Sequence, residues 1–148
     1  MNKNIFASTH PDIQTEEIIS SKQPTEYTCP RCQDQKLNLT AGKNSKYFQC
    51  EQCGGVWFEI NELEKTIDAN VKFKLPKMLH PQTLNQSKRT FCPSCVTKMS
   101  LIKSLEIQNM EIATCMICQG RWLDGVQIAE LQNRGLLNQL KGLIMRLF

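Results

Sequence analysis

No apolar run in this 148-residue chain approaches the ~18 residues that a membrane-spanning helix needs. Nor does an apolar h-region follow Met1-Asn2-Lys3-Asn4-Ile5-Phe6, so the start does not read as a secretory leader. The expected setting is therefore cytoplasmic, where thiols stay reduced. Histidine is scarce: there are two, His10 and His80. No Ser-His-Asp set, phosphate-binding glycine loop or paired acid with a nearby histidine is present, which removes the usual hydrolase and nucleotide-binding chemistries. There is also no βαβ pattern of the kind a thioredoxin-type CxxC needs.

Cysteine is what the chain does have. There are eight, and all fall in four CxxC units. Cys29-Pro30-Arg31-Cys32 precedes Cys50-Glu51-Gln52-Cys53, and Cys92-Pro93-Ser94-Cys95 precedes Cys115-Met116-Ile117-Cys118. The 17 and 19 residues between paired units match the spacing of four-cysteine zinc sites. A Trp follows each last cysteine by four residues, so both tryptophans of the chain, Trp57 and Trp122, sit at the same place in a repeat. Structural zinc takes four ligands in a tetrahedron. A two-residue gap lets one tight turn aim both sulfurs at one point, and a hairpin brings two such turns together. The candidate ligands are Cys29, Cys32, Cys50 and Cys53 for one Zn²⁺, and Cys92, Cys95, Cys115 and Cys118 for a second. The cysteines fill both sites, so neither histidine is needed.

The expected fold class is small, metal-bound and β-rich (α+β): two tandem zinc ribbons, each a short antiparallel sheet plus a short helix, with a C-terminal amphipathic helix. Modules of about 40 residues are too small to rely on an apolar core alone. The expected divisions are a flexible tail over 1–26, ribbon one over 27–68, a basic linker over 69–90, ribbon two over 91–134 and the C-terminal helix over 135–148. In ribbon one, Leu37 to Thr40, Lys46 to Gln49 and Val56 to Phe58 read as strands. Asn61 with Glu64 reads as a capping box for a helix to about residue 68. The linker alternates Val71, Phe73 and Leu75 with lysines, as a half-buried strap would. Ribbon two reads as a longer hairpin through Met99, Leu101, Leu105 and Ile107, turning near Gln108-Asn109 into Met110, Ile112 and Thr114. Asp124 with Gln127 predicts a second capping box, and Gly135 a helix stop. From Leu136 to Phe148, seven apolar residues share one helical face.

The pattern CPxC…CxxCxGxW[FL][DE] resembles the zinc-ribbon family named after the N-terminal ribbon of transcription factor IIB. The resemblance covers residues 29–66 and 92–131 and implies the same two four-cysteine sites. Glycine is favoured after the second cysteine of a knuckle, where φ is positive. Only Gly54 supplies it; Gln33, Val96 and Gln119 stand at the other three positions, and β-branched Val96 predicts the least regular turn. Each Trp is expected to cover its own metal site and pack on the following helix. Glu59 and Asp124, two residues past each Trp, read as helix-start residues.

The formal net charge is +4, but the positive charge lies outside the ribbons. Residues 67–90 carry five basic and one acidic side chain, whereas 27–66 carry five of each. The function these features favour is a non-catalytic zinc protein acting as a protein-interaction or adaptor module, through the C-terminal helix or by self-association. One alternative is a transcription-associated nucleic-acid binder, with weak, non-specific contacts through Lys72, Lys74, Lys77, Lys88 and Arg89. Another is a thiol redox chaperone using the CxxC pairs.

Overall fold

The computed structural model describes residues 26–77, 90–104, 107 and 110–140. Six short strands carry the architecture: β1 (Asn38–Ala41), β2 (Lys46–Gln49), β3 (Val56–Phe58), β4 (Ser100–Lys103), β5 (Glu111–Thr114) and β6 (Arg121–Leu123). One helix follows the third strand of each repeat, α1 (Glu62–Asp68) in the first and α2 (Gly125–Arg134) in the second. Every strand pairs antiparallel with its neighbour, in the order β1-β2-β3-β6-β5-β4. The repeats thus join into one sheet along the β3–β6 seam, where Val56 faces Leu123, Trp57 faces Trp122 and Phe58 faces Arg121.

Strand alternation assigns the two faces of this sheet. Tyr47, Val56, Phe58, Ile112 and Leu123 point to one side and meet Leu63 and Ile67 of α1 and Ile128 and Leu131 of α2. Their sequence neighbours Phe48, Trp57, Ala113 and Trp122 point to the other side, among Cys29, Cys50, Cys92 and Cys115. One face is therefore covered by helices and the other by the two cysteine clusters. The expectation that each Trp packs on the following helix is corrected here. Val56 and Phe58 occupy the helix side, so the intervening Trp57 must face away from it.

The strands of ribbon one lie close to where the sequence puts them; the first shifts by one residue, because the Leu37 N–H bonds the Tyr27 carbonyl oxygen at 2.8 Å instead of joining β1. The longer hairpin expected in ribbon two is corrected: β4 ends at Lys103, no longer than β1, because the Ser104 N–H already closes on the Met110 carbonyl at 2.9 Å, and β6 is not among the expected strands. The Asn61 capping box does not form. Asn61 adopts φ 69° and makes no side-chain cap. The Asp124 capping box does form, with the Asp124 N–H bonding Gln127 Oε1 at 2.9 Å, and Gly135 ends α2 at φ 66°. The strap also behaves as its alternation requires: Phe73 is buried while Lys72 and Lys74 are exposed. Phe73 packs edge-on against Tyr47 and Phe58, and its carbonyl accepts a bond from Gln132 of α2 at 3.2 Å. Residues assigned to a linker by composition thus close the helix-side core across both repeats. Residues 137–140 form one further helical turn, and Leu140 is fully buried with Ile128 and Leu131. The tail expected over 1–26 (apart from Glu26), both histidines, Leu105, Gln108-Asn109 and the continuation of the C-terminal helix past Leu140 lie outside the described residues.

Candidate metal centres

Each CxxC unit is a tight turn built the same way. The N–H of the residue after the second cysteine returns to the carbonyl of the first: Gln33 to Cys29, Gly54 to Cys50, Val96 to Cys92 at 2.9 Å each, and Gln119 to Cys115 at 2.8 Å. All four of these residues have positive φ, at 64°, 79°, 60° and 64°. The Val96 turn is as regular as the others in its hydrogen bonds, contrary to the expectation for a β-branched residue. The strain is borne at that position; the turn does not change shape to relieve it.

These turns aim backbone donors at sulfur. Cys29 Sγ accepts from the Cys32 N–H at 3.3 Å, and Cys53 Sγ from the Gly55 N–H at 3.4 Å. Cys92 Sγ accepts from the Ser94 and Cys95 N–H groups at 3.3 and 3.2 Å. N–H groups pointing at sulfur favour the thiolate, the form in which cysteine binds metal.

The hairpins then bring the turns together in pairs. Cys29, Cys32, Cys50 and Cys53 form one group and Cys92, Cys95, Cys115 and Cys118 the other, with all four Sγ atoms of each group within 4.8 Å of one another. Cys29–Cys53 and Cys32–Cys50 are 3.7 and 3.8 Å apart, and Cys92–Cys118 3.6 Å. Four sulfurs at about 2.3 Å from a central zinc have edges of about 3.8 Å. The spacing therefore fits a tetrahedral Zn²⁺, and two such ions can be held per chain. A disulfide needs sulfurs near ~2.05 Å, so these separations are those of ligands, not bridges.

The acid–base state of the clusters points the same way. Hydrogen bonds from Cys29 and Cys53 hold the Cys50 thiol down at about 2. Bonds to Cys50 and Cys53, with burial, push Cys29 far above the ordinary thiol value, and burial followed by the Cys50 charge raises Cys32. In the second cluster burial opposes the Cys115 thiolate. The N–H groups of Cys118 and Ile117 and the Thr97 hydroxyl outweigh it and bring Cys115 to about 6. Burial lifts Cys92 to about 11. Four sulfurs this close cannot all carry charge without a cation among them.

The seam between the repeats is set by residues that sequence reasoning passed over. A Cβ on Gly55 would lie 2.2 Å from the Trp122 ring, and a Cβ on Gly120 would lie 2.2 Å from the Trp57 ring. Each Trp therefore covers the glycine beside the other repeat's cluster. The CxGxW spacing, present twice, was the available signal. Arg31, inside the first CxxC, reaches across to Asp124 at 3.0 Å, with side chains only 5% and 4% exposed. Asp124 also accepts from Trp122 Nε1 at 3.0 Å, so one carboxylate ties together a knuckle of repeat one with the Trp and helix start of repeat two. Glu59, at the matching position in repeat one, does not start a helix. It accepts from the Tyr27 hydroxyl and pairs with Lys46 at 3.0 Å. Burial, then the bond to Glu59, keeps Tyr27 protonated well above the ordinary phenol value.

Of the cations expected to touch nucleic acid, Lys72, Lys74 and Lys77 are exposed or partly so, while Lys88 and Arg89 lie outside the described residues. Arg31 and Arg121 are turned inward, and burial lowers the Arg121 guanidinium from its ordinary value, whereas Arg134 at the end of α2 is exposed and pairs with Glu130 at 3.0 Å. No helix among the described residues is long and apolar enough to cross a membrane.

One family model, described as transcription factor zinc-finger, matches the chain over residues 28–69 and 91–140, which is more than half of its length. No curated protein and no solved structure matches it.

Proposed function

Because this chain belongs to the TFIIB-type zinc-finger family through both of its repeats, we propose that it is a non-catalytic, cytoplasmic zinc protein whose two metal-braced ribbons serve as a platform for another protein. The carrying observation is the ligand set. Each cluster supplies four thiolates at tetrahedral separations, so a bound zinc has no position left to activate water or polarise a substrate. The eight cysteines act as zinc ligands: Cys29, Cys32, Cys50 and Cys53 at one site, Cys92, Cys95, Cys115 and Cys118 at the other. Zinc-bound thiolates closed in this way are also withheld from thiol exchange, which disfavours a redox chaperone.

Two features favour a protein over a nucleic acid as partner. Arg31 and Arg121 are spent on interior contacts and Arg134 on a pair with Glu130, and phosphate recognition needs clustered, accessible Lys and Arg. The C-terminal segment begins by docking Leu140 in the core, and Leu143, Ile144, Leu147 and Phe148 follow as apolar residues for which a partner is the natural cover. The family's description as transcription factor zinc-finger supports the second reading, a transcription-associated nucleic-acid binder.

Elemental analysis and a pull-down test these readings together. Two zinc ions per chain are expected. Capture of a partner should survive nuclease and be lost when the chain ends at Leu140, which is retained because it belongs to the core. Less than one zinc per chain, with intramolecular disulfides by mass spectrometry, overturns the metal reading. Capture that disappears with nuclease puts the nucleic-acid reading first.

A further inference from the structure

The two ribbons share a backbone but not a surface. Around the second cluster Phe91, Val96, Met116 and Ile117 are 49%, 75%, 64% and 69% exposed. The matching positions of ribbon one hold Thr28, Gln33, Glu51 and Gln52. Since both ribbons close the same turns, metal binding does not demand apolar residues there. Val96 makes the point most sharply, because a β-branched residue at φ 60° is strained and its exposed side chain contributes nothing to the core.

The charge of the two tips differs too. Lys36 of ribbon one is paired with Glu26 at 3.7 Å. The matching lysine of ribbon two is Lys98, and Arg89 stands where Glu26 does. Among the described residues no carboxylate pairs with Lys98. The tip is thus apolar, with the exposed cation Lys98 on its rim beside Phe91. Its exposed apolar area is on the order of 400 Å², about half of what each side of a stable protein–protein interface buries. That size suits a short segment better than a second folded copy.

We propose that the occupant is the chain's own N-terminal segment, residues 12–19. Three longer stretches of chain lie outside the described residues, at 1–25, 78–89 and 141–148, and only the first combines apolar with acidic side chains. It offers Ile13, Ile18 and Ile19 to the apolar tip and Asp12, Glu16 and Glu17 to its positive rim. The seven residues from Ile19 to Glu26 span up to about 25 Å. They start beside Tyr27, whose hydroxyl bonds Glu59 just past Phe58, the end of β3 that pairs with Arg121 of β6 next to the second cluster.

The test is methyl NMR on the full zinc-loaded chain. Nuclear Overhauser contacts between the Ile18 or Ile19 methyls and those of Met116 or Ile117 are expected, with intensities independent of protein concentration. Ile18→Asp with Ile19→Asp should shift the Met116 and Ile117 methyl signals and leave those of the core residues Ile112 and Ile128 in place. Lys98→Glu should abolish the contacts, and adding Glu16→Lys and Glu17→Lys should restore them. Absence of the contacts in the wild-type chain overturns the proposal, whatever the variants do. Contacts that grow with concentration overturn it in favour of a second copy. Contacts that survive Lys98→Glu, or are not restored by the charge swap, overturn the electrostatic basis of the choice of segment.

Discussion

Gly120→Ala inserts one methyl group into the seam between the repeats. Its Cβ would stand 2.2 and 2.3 Å from two carbons of the Trp57 ring and 3.2 Å from the Phe58 carbonyl oxygen. Carbons rest at about 3.5–4.0 Å, so the overlap exceeds an ångström. The backbone does not forbid alanine, since Gly120 is not among the positive-φ glycines. The obstacle is the ring, which is fully buried and has no open side to swing into. Overpacking of this kind costs about 1–3 kcal/mol, against a gain of about 0.4–1 kcal/mol from restricting the unfolded chain. A net loss of about 1–1.5 kcal/mol is expected. Trp57→Phe removes both clashing carbons and leaves a void, for a loss of about 2 kcal/mol on its own. The double variant fits a methyl group into that void. It should lose less than the sum of the two by about 1–2 kcal/mol, within the range found for residues in contact. Urea unfolding under saturating zinc, followed by Trp122 fluorescence, measures all four corners of the cycle. Gly120→Ala with an unchanged midpoint, or losses additive within about 0.4 kcal/mol, would refute the interlocked seam.

Chelation of the metal should abolish cooperative unfolding, because zinc supplies apparent binding energy of about 10–16 kcal/mol per site at neutral pH; near-ultraviolet circular dichroism of the chelated chain checks this. Arg31→Ala leaves a buried carboxylate with the Trp122 N–H as its remaining side-chain donor and should cost about 3 kcal/mol in the same unfolding assay. Val96→Gly should raise stability by about 0.5–1 kcal/mol, since relief of a strained left-handed residue outweighs glycine's added backbone entropy; a lower midpoint would show that Val96 packs in the folded chain. At ~150 mM salt, titration against random and selected duplexes should show only weak, steeply salt-dependent association through the strap and linker cations, and a sub-micromolar sequence-selective complex would reverse that expectation.

The parts of this molecule that repeat locally were legible in its sequence. CxxC spacing located both clusters, β2 and β3 lie where the sequence puts them, and alternation located the strap. Asp124-Gly125-Val126-Gln127 located the start of α2 and Gly135 its end. The errors came where a local pattern competed with a contact from far along the chain. Asn61 reads as a cap, yet its φ is positive, and Glu62 beside it accepts the Lys46 N–H at 3.0 Å from across the sheet. The Trp57 side chain reads as cover for its own site, yet the seam places it over Gly120. Nothing local in Cys29-Pro30-Arg31-Cys32 says that Arg31 meets a carboxylate in the other repeat. Pairing between repeats is the kind of information that spacing within one repeat does not carry.

The seam also bears on why a duplicated module would keep both copies. A single ribbon ends at β3, with Trp57 and the edge of that strand open to water. The second copy caps that edge with β6, and the two tryptophans fill the space that the two glycines leave. Exposed strand edges invite uncontrolled pairing, and among the described residues the outer strands are the four-residue β1 and β4. Coupling between the metal sites is the expected consequence. Loss of zinc from the second cluster should loosen β5 and β6, uncover Gly55 and Trp57, and remove the Asp124 partner of Arg31 inside the first cluster's knuckle. Sequential chelation should therefore release the two ions close together. A chain carrying Cys115→Ser with Cys118→Ser should hold its remaining zinc more weakly than the intact chain does. If that variant binds one zinc with unchanged affinity, the ribbons are neighbours on a sheet and nothing more.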